Sequence, residues 1–290
     1  VAGPQEGVIE INGLKLRYLE WNPDGEQSLG GKSVPKTIVL LHGSNGNAHV
    51  WDQFGARAGS RMRTLALHLR GHGDSQWSRP AAYGCEDYTS DLEQFIAKLD
   101  LGPVVLVAHS MSVYHSIRCA VSRPDTVAGL VLIDIEAAAR SEHVRLLRVA
   151  GSKPEPLFDS FEQAVARERR FFPFADEDVL RDFLATNLRE IPAEGAGSGA
   201  QAALTYKYDR ATLAEFEAYD EWSRLRQVRC PTMFVYGADS QLVRPEVMQR
   251  MVEAVPGSVA VRIDRAGHMP HMDNPDGFAE AVLPFCLTRA

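Results

Sequence analysis

The chain has 290 residues, 45% of them apolar, and 31 Lys or Arg set against 38 Asp or Glu give a net charge of −7 and a pI near 5.7. That apolar share suits a globular core in one large domain or two small ones. The acidic balance argues against nucleic acid or an anionic membrane as partner, because both want a basic face. No apolar run reaches the length of a bilayer span, and Val1-Ala2-Gly3-Pro4 has no signal-peptide pattern. Cys85, Cys119, Cys230 and Cys286 lie far apart without a C-x-x-C pair, so free thiols in a cytoplasmic setting are expected rather than a metal site.

In chain order, residues 8–11 and 14–19 alternate apolar and polar around Asn12-Gly13, which predicts a hairpin. Residues 22–36 are rich in Gly, Pro and polar groups and read as a loop. Thr37-Ile38-Val39-Leu40-Leu41 is continuously apolar, as in a strand buried on both faces, and ends at His42-Gly43. Residues 63–67 repeat the pattern more weakly ahead of Arg70-Gly71-His72-Gly73-Asp74-Ser75, and 86–99 carry helical spacing through Leu92, Phe95, Ile96 and Leu99. Val104 to Ala108 form another apolar run, 113–120 a helix and 128–133 a sixth strand.

The alternation then breaks. Residues 137–228 predict helices, clearest at 161–172 and 177–190, with a Gly-rich break at 194–200, a further helical stretch at 211–225 and no convincing buried strand. Strand and helix return at 232–237, 245–255, 259–263 and 278–287. Strands alternating with helices indicate a mostly parallel sheet. The expected fold is therefore α/β: a core of residues 1–136 and 229–290, with eight strands flanked by helices, and a helical cap of 137–228 inserted after the sixth strand.

The apolar run at 104–108 ends at His109-Ser110-Met111-Ser112. A buried strand that turns sharply into a helix with Ser at the apex is the geometry of a nucleophile elbow. Serine attacks a carbonyl only when a nearby base takes its proton and a third group orients the base. His268, directly after the last predicted strand, is the candidate base, since loops at the carboxyl ends of parallel strands carry such sites. Backbone amides of Met111 and of Ser44, in the loop after the third strand, are the candidate oxyanion donors.

The chain resembles the α/β-hydrolase superfamily in His42-Gly43-x-x-Gly46 followed by Trp51, in the Arg70–Ser75 turn, in the Ser110 elbow, and in Gly267-His268 followed by Asn274-Pro275. Residues 163–209 loosely resemble the cap of esterase-like members. The resemblance implies an eight-stranded sheet with a cap over the site. It also implies an acid after the seventh strand as G-x-x-D, where this chain has Gly237-Ala238-Asp239-Ser240. Ser240 fills the acid position and Asp239 comes one residue early. Some relatives, certain haloalkane dehalogenases among them, take the acid from the end of the sixth strand. Asp134 stands there, 134 − 110 = 24 residues after the serine, and is preferred over Asp239. Ser rather than Asp at the elbow argues against the dehalogenase and epoxide-hydrolase branches. Ser112 and Val113 replace residues that are commonly Gly, so a slightly opened elbow or displaced helix is expected.

The expectation is a serine hydrolase of an ester or lactone, acting through an acyl-enzyme on a small molecule. A C–C hydrolase or cofactor-independent lyase on the same fold is the alternative, and a non-catalytic binding protein the third reading. No motif calls for a metal, nucleotide or flavin, and nothing indicates an oligomer. Trp51, Phe172 and Trp222 are candidate substrate contacts, with Phe171, Phe174, Phe183, Tyr206 and Tyr208 as further cap aromatics that serve equally well as cap core. His115, just over one turn past Ser110, is a candidate polar contact.

Overall fold

A computed structural model describes residues 3–23, 37–191 and 203–288. Strands β1 (Gln5–Ile11) and β2 (Leu14–Trp21) form the expected hairpin, with Asn12 and Gly13 both at positive φ (50° and 74°) as a two-residue primed turn requires. Then come β3 (Thr37–Leu41), a short 3₁₀ turn (Ala48–Trp51), α1 (Asp52–Gly59), β4 (Arg63–Leu67), α2 (Cys85–Lys98), β5 (Val104–His109), α3 (Ser112–Ser122) and β6 (Val127–Ile133). After β6 the chain leaves the sheet for α4 (Ser141–Ser152), α5 (Phe161–Glu168), α6 (Glu177–Asn187), β7 (Leu188–Ile191), β8 (Ala203–Tyr206), α7 (Ala211–Ala214) and α8 (Trp222–Leu225). It returns with β9 (Thr232–Gly237), α9 (Pro245–Ala254), β10 (Val259–Ile263), α10 (Pro270–Asp273) and α11 (Pro275–Thr288).

The main sheet has eight strands in the order β1-β2-β4-β3-β5-β6-β9-β10, antiparallel through β1, β2 and β4 and parallel from β4 onward. Its inner strands are apolar throughout because both faces are covered. On β5, Val104, Leu106 and Ala108 join the core shared with α2, α3 and α9, while Val105 and Val107 join the core shared with α1 and α11.

The segment between β6 and β9 differs from its expected all-helical character. β7 and β8 pair antiparallel from Leu188↔Tyr206 to Ile191↔Ala203, so the helix predicted over 177–190 stops at Asn187. Asn187 sends its side chain to the loop after β3 rather than along the helix (Nδ2 to Asn45 O, 3.1 Å), and no Gly or Pro marks that stop in the sequence. The helix at 161–172 ends at Glu168. The stretch 211–225 holds two single turns instead of one helix. Between them the backbone pairs with the chain leaving β6, through Ala139 N to Tyr219 O and Glu221 N to Ala137 O, both 2.8 Å. Of the loop predicted over 22–36, residues 24–36 lie outside the described residues, as does the Gly-rich 194–200.

Candidate active site

The strand order reverses at β3, whose neighbours are β4 on one side and β5 on the other. Open parallel sheets leave a crevice at such a switch point, outside the carboxyl ends of the strands. Ser44 follows β3 and Ser110 follows β5, so both predicted loops open into that crevice.

Ser110 has φ 53°, a left-handed conformation that a non-glycine residue holds only at a cost of about 1–3 kcal/mol. The surroundings enforce it. Ser110 N donates to Ile133 O (2.9 Å), and Val113 N donates back to Ser110 O (3.0 Å) as α3 begins. Gly43 must lack a side chain, since a Cβ there would sit 2.7 Å from His109 Nδ1 and 2.8 Å from Ser110 Cβ. Ser112 is fully buried and its hydroxyl donates to His42 O at 2.6 Å, which ties α3 to the end of the β3 strand. The position that usually carries Gly thus holds a hydrogen-bonded clamp rather than a clash.

Asp134 also has a positive φ (53°), with its N–H donating to Val235 O (2.9 Å) as the β6–β9 pairing ends. Ser110 Oγ lies 3.1 Å from His268 Nε2, and His268 Nδ1 lies 2.8 Å from Asp134 Oδ2. With the imidazole proton on Nδ1, facing the carboxylate, Nε2 is left to accept from the serine hydroxyl. Asp134 Oδ1 accepts from Gly237 N (3.0 Å), and Oδ2 accepts a second bond, from Ser240 Oγ (2.7 Å). Gly237 is needed for the approach of the histidine loop, because a Cβ there would lie 2.0 Å from Gly267 O. Asp239 contributes only its backbone, donating to Ala266 O (2.9 Å); its side chain is exposed and does not reach His268.

Ser44 Oγ lies 3.1 Å from Met111 Sδ, and the amides of both residues donate to no protein acceptor among the described residues. The loop carrying Ser44 is pinned by His42. Leu69 N–H donates to His42 Nε2 (3.1 Å), so His42 Nδ1 holds the proton and donates to Gly43 O (2.7 Å). Asn187 Nδ2 donates to Asn45 O (3.1 Å) and Asn47 Nδ2 to Asn187 Oδ1 (3.1 Å), stitching the same loop to the segment above. Behind His268, His109 donates from Nε2 to His268 O (2.8 Å). Burial holds the His42 and His109 imidazoles well below their usual pKa, and pushes His271, whose ring lies 4.9 Å from that of His109, down to about 3. These neighbours are neutral near pH 7. A serine proton can therefore pass to His268 with no competing cation among the three rings, while Asp134 compensates the imidazolium.

A family model described as the alpha/beta hydrolase family matches residues 38–281. The chain belongs to the alpha/beta hydrolase family. This hydrolase is 29% identical over 268 residues to an sn-1-specific diacylglycerol lipase of Mus musculus, a match covering 89% of this chain and 83% of the relative. It is 27% identical over 282 residues to an N-formylmaleamate deformylase of Pseudomonas putida (96% and 95% covered) and 26% identical over 296 residues to an esterase of Mycobacterium tuberculosis (100% and 92%). Among solved structures, an E-2-(acetamidomethylene)succinate hydrolase superposes with a TM-score of 0.80 at 23% identity, covering 97% of this chain and 98% of that one, which speaks for the fold.

The four proposed substrate contacts of the hydrolase are taken up by packing. Trp51 is fully buried and stacks on His271 at 4.2 Å. His115 is buried against Tyr88 (rings 4.8 Å apart), with Cys85 Sγ 3.3 Å from its Nδ1. Phe172 is buried against Phe183, and Trp222 lies on the outside beneath the Arg226 and Arg250 guanidinium groups. Trp51 and His115 are thus enclosed by their protein neighbours. Of the other cap aromatics, Phe171 is exposed and Tyr206 stacks on Tyr208. A groove of about 500 Å³ between α2 and α3, lined by Glu93, Ile96, Cys119 and Arg123, lies at the amino ends of β5 and β6, the wrong end of the sheet for Ser110. No cluster of His, Cys, Asp or Glu among the described residues has the arrangement of a metal centre, and no described helix is long and apolar enough to cross a membrane.

The sequence reading missed His42, His109 and Ser112 as parts of the site, and treated Ser240 only as the occupant of the acid position. Two signals were present: polar residues flank the elbow serine where small ones are usual, and a hydroxyl replaces the expected carboxylate.

Proposed function

We propose that this hydrolase cleaves a carboxylic ester or lactone through an acyl-enzyme on Ser110. The reading is carried by the hydrogen-bonded run from Ser110 Oγ through His268 to Asp134 Oδ2, together with the amides of Ser44 and Met111, which donate to no protein acceptor among the described residues. Ser110 Oγ attacks the carbonyl carbon as its proton passes to His268 Nε2. The carbonyl oxygen becomes an oxyanion, met by the N–H groups of Ser44 and Met111. His268 returns the proton to the departing alkoxide. Water, deprotonated by the same nitrogen, then attacks the acyl group and frees Ser110. Asp134 keeps the ring in the tautomer this cycle needs.

Curated relatives named as an esterase and a diacylglycerol lipase support the ester. A deformylase, a 2-(acetamidomethylene)succinate hydrolase and a 2-hydroxy-6-oxo-6-(2'-aminophenyl)hexa-2,4-dienoic acid hydrolase stand beside them, so cleavage of an amide or C–C bond by the same groups is the second reading. The test pairs a fluorophosphonate label with product analysis. The label is expected on Ser110, and Ser110→Ala is expected to abolish turnover of short-chain aryl esters. Label elsewhere with Ser110→Ala still active would overturn the proposal, and turnover of β-diketones or N-acyl enamines in preference to esters would select the second reading.

A further inference from the structure

Ser240 stands after β9 at the position from which α/β hydrolases usually present their acid, yet its hydroxyl is not idle. The 2.7 Å contact is a bond from Ser240 O–H to Asp134 Oδ2. That is the same oxygen that accepts His268 Nδ1–H at 2.8 Å. Ser240 Oγ in turn accepts from Leu242 N (3.1 Å), and Ser240 N donates to Gly237 O (3.1 Å), so the hydroxyl is held from both ends of its turn. The loop itself is clamped twice. Gly237 N donates to Asp134 Oδ1, and Arg244 grips Glu136, two residues beyond Asp134, through Nε to Oε1 (2.8 Å), Nη2 to Oε2 (2.7 Å) and its backbone N to Oε1 (3.1 Å).

We propose that Ser240 is a positioning residue of the reaction, one that fixes the plane of the Asp134 carboxylate and shares with His268 the oxygen on which the protonated ring depends. The proposal rests on the reading of Ser110, His268 and Asp134 as a relay. Two donors on one carboxylate oxygen each receive less of its charge than one would alone. When His268 takes the serine proton, its N–H competes with the Ser240 hydroxyl for Oδ2. The hydroxyl thereby stops the imidazolium from being over-stabilised and lets the ring release its proton to the leaving group. Other groups around the ring are the same in every Ser240 variant. His109 from β5, His271 and Asp273 from α10, and His143 from α4 interact with His268, while Arg140 and Asp239 flank the Ser240 turn. None of these touches Asp134 Oδ2; among the described residues only Ser240 and His268 do.

The experiment is the second-order rate constant for fluorophosphonate labelling between pH 5 and 9, measured on wild type, Ser240→Ala, Ser240→Thr and Ser110→Ala, with melting temperatures alongside. In Ser240→Ala the acidic limb of the profile moves to higher pH by about half a unit to one unit and the plateau falls about three- to tenfold. Ser240→Thr keeps the hydroxyl and follows wild type. A Ser240→Ala limb that coincides with wild type, or a Ser240→Thr profile that matches Ser240→Ala, overturns the proposal even where the melting temperature drops, because a purely structural role leaves the limb in place. If Ser110→Ala still labels at the wild-type rate, the relay reading falls and this proposal with it. If Ser110→Ala is inert and the Ser240→Ala limb is unmoved, only the role of Ser240 falls.

Discussion

Replacing Asp134 by Asn keeps the shape of the side chain and removes one charge and one acceptor oxygen. Three donors converge on that carboxylate: His268 Nδ1, Ser240 Oγ and Gly237 N. An amide offers a single oxygen. If that oxygen faces His268, the NH₂ group faces the Gly237 N–H and a buried donor loses its acceptor, costing about 1–3 kcal/mol of stability. If the NH₂ faces His268, the ring must carry its proton on Nε2, where it accepts nothing from Ser110. In either arrangement the imidazolium loses its counter-charge. A unit pair about 4 Å apart at an effective dielectric near 20 is worth about 4 kcal/mol, which is about a thousandfold in rate. Asp239→Asn touches an exposed side chain outside the run and is expected to stay within about twofold, as surface substitutions do. The assay is fluorophosphonate labelling of Ser110 together with turnover of a short-chain aryl ester, with melting curves to confirm folding. Near-normal labelling of Asp134→Asn with a collapse in Asp239→Asn would refute the assignment of the acid and the electrostatic argument behind it.

Ser112→Ala and Ser112→Gly both remove the buried bond to His42 O and are expected to lower the melting temperature by a few degrees, about 1–3 kcal/mol; a rise in Ser112→Gly would show that the hydroxyl crowds the elbow after all. Gly43→Ala forces its loop away from His109 and Ser110, and labelling should fall at least about tenfold, about 1.4 kcal/mol in barrier; unchanged labelling would mean the loop relaxes without moving the Ser44 amide. Four buried imidazoles, those of His68, His115 and His271 near 3 and of His72 near 4, are held below the usual 6.5 by desolvation. The unfolded chain binds more protons there, so stability is complete above about pH 6.5 and is lost as pH falls toward 4, by as much as about 1.4 kcal/mol per unit for each group. Urea midpoints from pH 7.5 to 4.5 read this directly, and a flat midpoint between pH 7 and 5 would contradict it.

The parts of this protein legible from the sequence are those set by a few consecutive residues. The apolar run of β5 and the Ser that ends it, the apolar run of β3 and its His42-Gly43 turn, and the Asn12-Gly13 hairpin each follow from side-chain period and turn chemistry within one short window. His268 was recognisable because it directly follows the last strand. The short strands β7 and β8 were not: each has four residues, and they pair across a stretch of chain that no local pattern connects. The aromatic residues misled for a related reason, since composition states that Trp51 and Trp222 are large and apolar without stating which surface they cover.

The acid was the point the sequence left open, and tertiary structure decided the geometry there. Asp134 and Asp239 both sit at strand ends close in sequence to where a carboxylate is wanted. Only the pairing of β6 with β9, in register to Ile133↔Val235, brings Asp134 beneath the histidine loop and turns Asp239 outward. The same pairing carries the Ser240 hydroxyl to Asp134. Which oxygen meets which nitrogen depends on strand adjacency over more than a hundred residues of chain, and such adjacency leaves no mark on either stretch alone. The turn that presents Ser110 is written in its own neighbourhood, whereas the carboxylate that meets His268 is selected by the sheet.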